Sequence, residues 1–493
     1  MKVAVSMVDS IVSAIRDNAM QRPDRVAVIA DDEKITYAQL WREVQGLAAY
    51  IKSFGFEKGS RIVVKSAPTI WFAVAAFAIH LSGNVQVPLE NTIGAEGLDD
   101  VVRQLSAVMV ISNLQSKAGV HSISSDDVRR IAVENYADGM EFDFPTPDMT
   151  CDILFTTGTT GKSKGVMESH RSVVAVTENV QYGAEIPENN VYLVPAPINH
   201  ASAIRKLYVS MLTGTTVVLL DGYTNIKRFY ACIEKYGVTS ILMPPAAVRM
   251  LLMLSAKELA KYSGQLHHIH TGSAAFPEAD KEKLCQILPD TRLYFAYGSS
   301  EAGCVSMYDY SRHRGLISCV GKPNRNAHIF IVDDDRNEIQ SSKERQGLIA
   351  ISGPVTMQGY YNEPELTRGV LRDGVVYTND IGYIDEQGFV FMLGRRGDVI
   401  SIGGLKIAPT EVEDVVLRFP GIADCACFAV EDRMGGCVPK LNVVLEKGDT
   451  LDNAALRAHM AKYLEAFKIP KLFEVVEAIP KTSNGKIDRK RLK

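Results

Sequence analysis

Residues 156–166 read TTGTTGKSKGV, directly after the apolar run Ile153, Leu154, Phe155 and ahead of a helix start near Ser169. Gly158, Gly161 and Gly165 allow close backbone approach, while Thr156, Thr157, Thr159, Thr160, Lys162 and Lys164 offer donors to a polyphosphate. The segment reads as a phosphate loop. A Walker loop holds four residues between its first glycine and its Gly-Lys pair, whereas Gly158 and Gly161-Lys162 enclose two, so the kinase and GTPase reading fails on spacing. A glycine-rich surface turn without a ligand is the alternative, and the concentration of Thr, Gly and Lys argues against it.

On both sides of this loop, strands alternate with helices. Upstream, apolar positions recur at helical spacing over 8–19. RVAVIADDEKITYAQL at 25–40 then gives a strand, an acidic turn, a second strand and a helix running towards Phe54, with Thr36 as N-cap. The strand 61–66, an apolar helix over 70–81, the strand 85–90, a helix over 98–105 and the strand 108–112 follow. Such alternation implies a largely parallel sheet covered on both faces. A second α/β layer system resumes after Asp152, with strands at 215–221, 240–245 and 267–273 and helices at 226–236 and up to Leu259.

From 319 to 385 the pattern changes to short strands and glycine-rich turns, a β-rich subdomain. Beyond Arg395 lies an α+β unit with helices at 409–419 and 454–464 and strands at 424–430, 440–446 and 473–477. The expected architecture is an α/β protein. Its large N-terminal domain, 1–394, combines two α/β sheet subdomains with the β-rich one; a small mobile α+β domain, 395–493, follows a hinge at 394–398.

At 493 residues the chain exceeds the roughly 250–300 residues at which single cores stop growing. A formal net charge of −4, from 54 basic and 58 acidic residues, supplies no field that gathers nucleic acid. The basic end KIDRKRLK reads as a solvated terminus. The eight cysteines form no CxxC pair, which excludes a zinc ribbon or disulfide scaffold and fits a reduced, cytoplasmic setting. Asp9, Arg16 and Asp17 interrupt the N-terminal stretch before any signal-length apolar run, and the 12 residues of 70–81 fall short of the roughly 20 a membrane span needs.

The loop at 156–166 resembles Y/F-T-S-G-T-T-G-x-P-K-G, the signature of the adenylate-forming superfamily: acyl-CoA synthetases, nonribosomal-peptide adenylation domains and firefly-type luciferases. Thr157 replaces its serine and Ser163 its proline. The other signatures follow in order. Tyr297-Gly298-Ser299-Ser300-Glu301 resembles YGxTE, Tyr377-Thr378-Asn379-Asp380 resembles a segment ending T-G-D, and GRRGD at 394–398 with GGLKIAPTEVE at 403–413 resembles the superfamily hinge. Pro480 to Lys486, with Arg489, resembles PKTxxGKxxR. Asn379 stands for a glycine in a turn where asparagine tolerates a left-handed backbone, and Gly397 occupies the pivot usually held by Asp or Lys.

The resemblance, closest to acyl-CoA ligases, implies ATP-dependent activation of a carboxylic acid to acyl-AMP with pyrophosphate release, then transfer to the thiol of CoA. ATP and Mg2+ are the implied cofactors and CoA the co-substrate. By the same resemblance Thr156 to Lys164 cradle pyrophosphate, Glu301 holds Mg2+, Tyr297 packs on adenine, and Ser299 and Ser300 approach the α-phosphate. Ser273, Ala274, Ala275 and Gly298 line the nucleotide, Asp380 and Arg395 contact ribose, and Lys486 bridges the acyl carboxylate and α-phosphate. Gly397, Gly403 and Gly404 form the hinge and pantetheine channel.

His200, Ala203, Gly272, Ser273 and Gly298 are the implied acyl pocket, with His200 as its gate. Asn199-His200 lacks the aspartate by which amino-acid-activating relatives hold an ammonium. Arg205 either pairs with a second substrate carboxylate or, the favoured reading, forms a surface salt bridge. Two alternatives remain: a stand-alone enzyme that loads an acyl carrier protein, and a non-catalytic nucleotide-binding homologue.

Overall fold

The computed structural model describes residues 8–157, 163–274, 276–402, 405–431, 437–482 and 486–492. The apolar run becomes the helix Ile70–Leu81, capped by Thr69, whose side chain accepts from the Phe72 amide. All its residues but Trp71 are buried, because it lies between two sheets and shares a core with Ile62 and Val64 of one and Val28 and Val217 of the other. A helix apolar on every face is stable in water only in such a place. Among the described residues no helix is long and apolar enough to cross a membrane.

The first sheet has seven strands, in the order 359–360, 163–169, 150–157, 85–89, 61–65, 109–111, 121–123. It is parallel from 150–157 to 121–123 and antiparallel at its other end. The second sheet has fourteen strands. It takes in the hairpin Val26–Ala30 and Glu33–Thr36, which the alternation pattern places with the first sheet. Val26–Ala30 instead pairs in parallel with Thr216–Leu219, Val28 opposite Val217. Either sheet could receive a strand of this apolar pattern, and the following helix, Tyr37–Lys52, packs against Ile70–Leu81. That helix starts as expected, with Thr36 and Gln39 forming a reciprocal capping box.

The β-rich strands 319–395 have their own apolar core around Ile329, Ile349, Ile351 and Val390. They are nonetheless hydrogen-bonded edge to edge with the second sheet: Gly303–Asp309 pairs with Cys319–Pro323, which pairs with Val390–Arg395. The small C-terminal domain packs the helices Pro409–Val416 and Asn453–Met460 on a three-stranded sheet of Ile422–Glu431, Cys437–Leu445 and Leu472–Val475. Cys425 and Cys427 are buried in that core, and all eight cysteines are free thiols. Lys343 of the large domain meets Glu465 of the small one at 3.4 Å.

One local expectation is corrected. The strand Thr150–Thr157 is followed by a second strand, Ser163–Ser169, antiparallel to it with Thr156 opposite Lys164, and only then by the helix His170–Gly183. The segment therefore joins two antiparallel strands rather than a strand and a helix, and residues 158–162 between them lie outside the described residues. Period-two alternation in SKGVMES was masked by the glycine and charges that the loop itself requires.

Candidate active site

Four chain-distant segments meet at one edge of the large domain. Thr156 and Lys164 face each other across the hairpin. The Lys164 ammonium lies 5.4 Å from the Tyr360 ring centroid, and the Tyr360 hydroxyl donates to Glu301 Oε1 at 2.7 Å. Burial first, and the Glu301 charge second, push the Tyr360 phenol far above its ordinary range, so it stays a donor. Glu301 is also held at its backbone: its amide donates to Ser299 Oγ at 3.2 Å and its carbonyl accepts from Met357 at 2.8 Å.

Tyr297, Gly298 and Ser299 end the strand Arg292–Ser299, where the register slips between Tyr297 and Gly298. A Cβ on Gly298 would stand 1.8 Å from the Gly303 carbonyl oxygen, so this position admits glycine alone. The parallel neighbour His268–Gly272 ends beside it, and a Cβ on Gly272 would meet the Ala296 carbonyl oxygen at 2.6 Å. Ser273 follows with φ +65°, a left-handed backbone that serine adopts at a cost. The two strand ends thus present bare backbone, with Ala274 half-buried beside them. Ala275 lies outside the described residues, and Ser300 sits in the turn between Ser299 and Glu301.

The Tyr297 hydroxyl donates to Asp380 Oδ2 at 2.8 Å. Asp380 lies in the strand Val375–Ile384, directly opposite Arg395 of Val390–Arg395, with Arg395 Nε 3.7 Å from Asp380 Oδ1. Burial raises the Asp380 carboxyl, opposed by the Tyr297 hydrogen bond and by the charges of Arg395 and Lys486; the net shift is upward. Asn379 is exposed in this strand, and its backbone is not left-handed, so the expected strained turn is absent there. Its carbonyl accepts from Arg396 at 2.7 Å instead.

Lys486 comes from the far end of the chain. Its charge acts on Asp380 and Arg395, and desolvation first and Arg395 second hold its ammonium below the usual lysine range, with Asp380 opposing. The segment is pinned close by: Arg489 forks onto Glu413 at 2.7 and 3.0 Å and donates to the Cys427 carbonyl at 2.8 Å, while Lys481 meets Asp424 at 2.6 Å. A Cβ on Gly397 would meet nothing within 4 Å and its φ is not positive, so glycine is not required in this arrangement. Gly403 and Gly404 lie outside the described residues.

His200 is the N-cap of the helix Ala201–Thr213, with Ala203 buried one turn on. Burial lowers the His200 imidazole, with Glu90 opposing, so the ring is neutral at physiological pH. Arg205 is not at the surface: it is 3% exposed, ion-paired with Glu168 and 3.9 Å from Asp152. The surface salt bridge expected for it is replaced by a buried one. Sequence reasoning missed Tyr360, because nothing in the spacing links it to Glu301 59 residues earlier. It also missed Lys206, which periodicity alone places on an apolar helix.

The matches to known proteins agree with this geometry. Residues 15–361 match the family described as AMP-binding enzyme, and residues 411–486 match the AMP-binding enzyme C-terminal domain. The chain belongs to the AMP-binding enzyme family. It is 28% identical to a long-chain-fatty-acid–CoA ligase of Bacillus subtilis, over 97% of this chain and 93% of that protein. With a feruloyl-CoA synthase of Amycolatopsis it shares 29% identity over 95% of each. Its fold matches ATP-bound MatB from Rhodopseudomonas palustris with a TM-score of 0.85, at 22% identity and 98% coverage of both chains.

Proposed function

We propose that this chain is an ATP-dependent, AMP-forming acid–thiol ligase that activates a carboxylic acid as acyl-AMP and transfers the acyl group to CoA. The observation that carries the reading is the meeting of Lys486 with Asp380 and Arg395, across two domains and beside Glu301. Attack of a carboxylate on the α-phosphate brings two anions together, and a transition state rich in charge is stabilised by fixed cations. Lys486 bridges the acyl carboxylate and α-phosphate. Asp380 accepts the ribose hydroxyls and is oriented for this by Tyr297. Thr156 to Lys164 hold the pyrophosphate as it leaves, and the bare backbone at Gly272 and Gly298 lets nucleotide and acyl carbonyl approach closely.

Glu301, a hard carboxylate oriented by the neutral Tyr360 hydroxyl beside Lys164, suits magnesium shared with phosphate oxygens. When bound, the ion draws charge from the phosphates. We place the domain boundary between residues 394 and 395, within the hinge, although Arg395 still pairs with Asp380 in the large sheet. The hinge at 394–398 then carries Lys486 away before thioester formation, the small domain moving as a unit. Eight free thiols suit a cytoplasmic location. Pyrophosphate release from ATP across a panel of acids, with and without CoA, tests the reading. An acid-dependent release with a CoA thioester product supports it, release without transfer points to a carrier-protein acceptor, and no release with any acid overturns it.

A further inference from the structure

Next to Arg205, the helix Ala201–Thr213 carries a second buried cation with a different fate. Lys206 is 2% exposed, and its ammonium lies 3.4 Å from His270 Nε2. Among the described residues it pairs with no carboxylate, although a lysine desolvated to this degree is costly to leave uncompensated. The neighbouring charge and thiol are those of Arg205 and Cys304, and neither supplies an anion as strong as a carboxylate.

The polar atoms around it are unfinished in the same way. Among the described residues His270 Nδ1 has no hydrogen-bond partner, nor has His268 Nε2, although His268 Nδ1 is held by Ser240 at 3.1 Å. The Tyr192 hydroxyl is also unpartnered and fully buried, its ring 5.6 Å from that of His268. Buried polar groups in native proteins are almost always satisfied, so such a cluster marks a place where a ligand group belongs.

The Lys206–His270 contact ties the helix that begins after His200 to the strand that ends at Gly272. Ala203 and Lys206 are neighbours one helical turn apart, and Lys206 lies about 9 Å along the axis from His200. His270 lies about 6–7 Å along its strand from Gly272. The pair therefore sits one turn beyond Ala203 and two residues before Gly272, both in the implied acyl pocket.

We infer that Lys206, with His270 at its side, binds a second carboxylate at the far end of the acyl substrate, so that the enzyme prefers dicarboxylic acids to the corresponding monoacids. The inference rests on the ligase reading above and narrows its substrate. Arg205 is unavailable for this role because Glu168 and Asp152 already hold it. The ammonium donates to the incoming carboxylate, and His270 keeps the ammonium aligned.

The test is a comparison of kcat/KM for CoA-thioester formation with matched pairs: straight-chain diacids and the monoacids of equal length. The wild type should favour the diacid by roughly ten- to a hundredfold, the worth of a charge-assisted hydrogen bond. In Lys206→Met that ratio should fall towards one. Monoacids that turn over with CoA as well as diacids do, or a ratio unmoved in the variant, overturn the inference and leave the ligase standing. No pyrophosphate with any acid overturns both. The wild-type ratio decides by itself should the variant not fold.

Discussion

Two clusters of opposite charge, similar in composition, do different work in this molecule. One is buried between the sheets: Asp152 takes His80 Nε2 at 3.0 Å and the Tyr208 hydroxyl at 3.0 Å, and Arg205 binds Glu168. The other is the open cluster of Asp380, Arg395 and Lys486, where Arg395 keeps half its side chain in solvent. In the first, burial raises Asp152, and the interactions with His80 first and Arg205 after it more than offset that, so its carboxyl ends below the usual range. In the second, burial wins and Asp380 ends above it. A closed cluster spends its charges on one another; an open one keeps them for a ligand.

If that contrast holds, substitutions should separate stability from activity. The largest effect is expected at Arg205→Met, which leaves Glu168 buried without its cation and should cost about 3–5 kcal/mol of unfolding free energy by denaturant titration. A loss within about 0.5 kcal/mol, the range of ordinary surface changes, would mean that the cluster is not a structural unit. Lys486→Ala should slow pyrophosphate release about a hundred- to a thousandfold, as loss of a transition-state donor does, and leave the unfolding midpoint in place. It should spare thioester formation from preformed acyl-adenylate, and equal loss in both steps would refute the split roles.

Tyr360→Phe removes the hydroxyl that orients Glu301 and should reduce turnover about three- to thirtyfold, with the loss seen as a weaker magnesium dependence in a metal titration. An unchanged magnesium requirement would place the metal elsewhere. The smallest effect is expected at the domain contact. Asp414, on the helix Pro409–Val416, is pushed up to about 7 by burial, with Lys281 opposing and Glu278 adding to the rise. A carboxyl raised in the docked arrangement favours that arrangement while protonated. The docked state should therefore lose stability as pH climbs from the ordinary carboxylate range to about 7, and gain nothing above it. Asp414→Asn should lift adenylation a few-fold at pH 8 and little at pH 5.5, read from paired pH profiles; parallel profiles would exclude Asp414 from the docking balance.

Much of this was legible beforehand. The apolar helix 70–81, the Thr36 cap and the helix start near Ser169 follow from composition and local hydrogen bonding, which act within a turn. Glu301, Asp380, Arg395 and Lys486 are proposed for the site on the resemblance of their motifs, and the fold brings Asp380, Arg395 and Lys486 within electrostatic reach of one another. The second strand of the hairpin, Ser163–Ser169, was not legible, since Gly165 and the charged Lys164 and Glu168 obscure its period-two pattern. The left-handed turn that a glycine-to-asparagine change suggested at Asn379 is absent, because the strand continues through it. Gly397 shows the reverse: a departure from the usual pivot residue carries no steric meaning in the docked arrangement.

The sequence by itself determined the class of fold and the order of its motifs, because periodicity and spacing are local properties of the chain, and the resemblance of those motifs to the adenylate-forming superfamily implied their chemistry. Only the tertiary structure decided which sheet received the hairpin 26–36, that Tyr360 orients Glu301, and that adjacent Arg205 and Lys206 differ, one ion-paired and the other left without a carboxylate. Those outcomes depend on contacts between segments far apart in the chain, where burial and distance set the strength of each charge, and no local pattern encodes either.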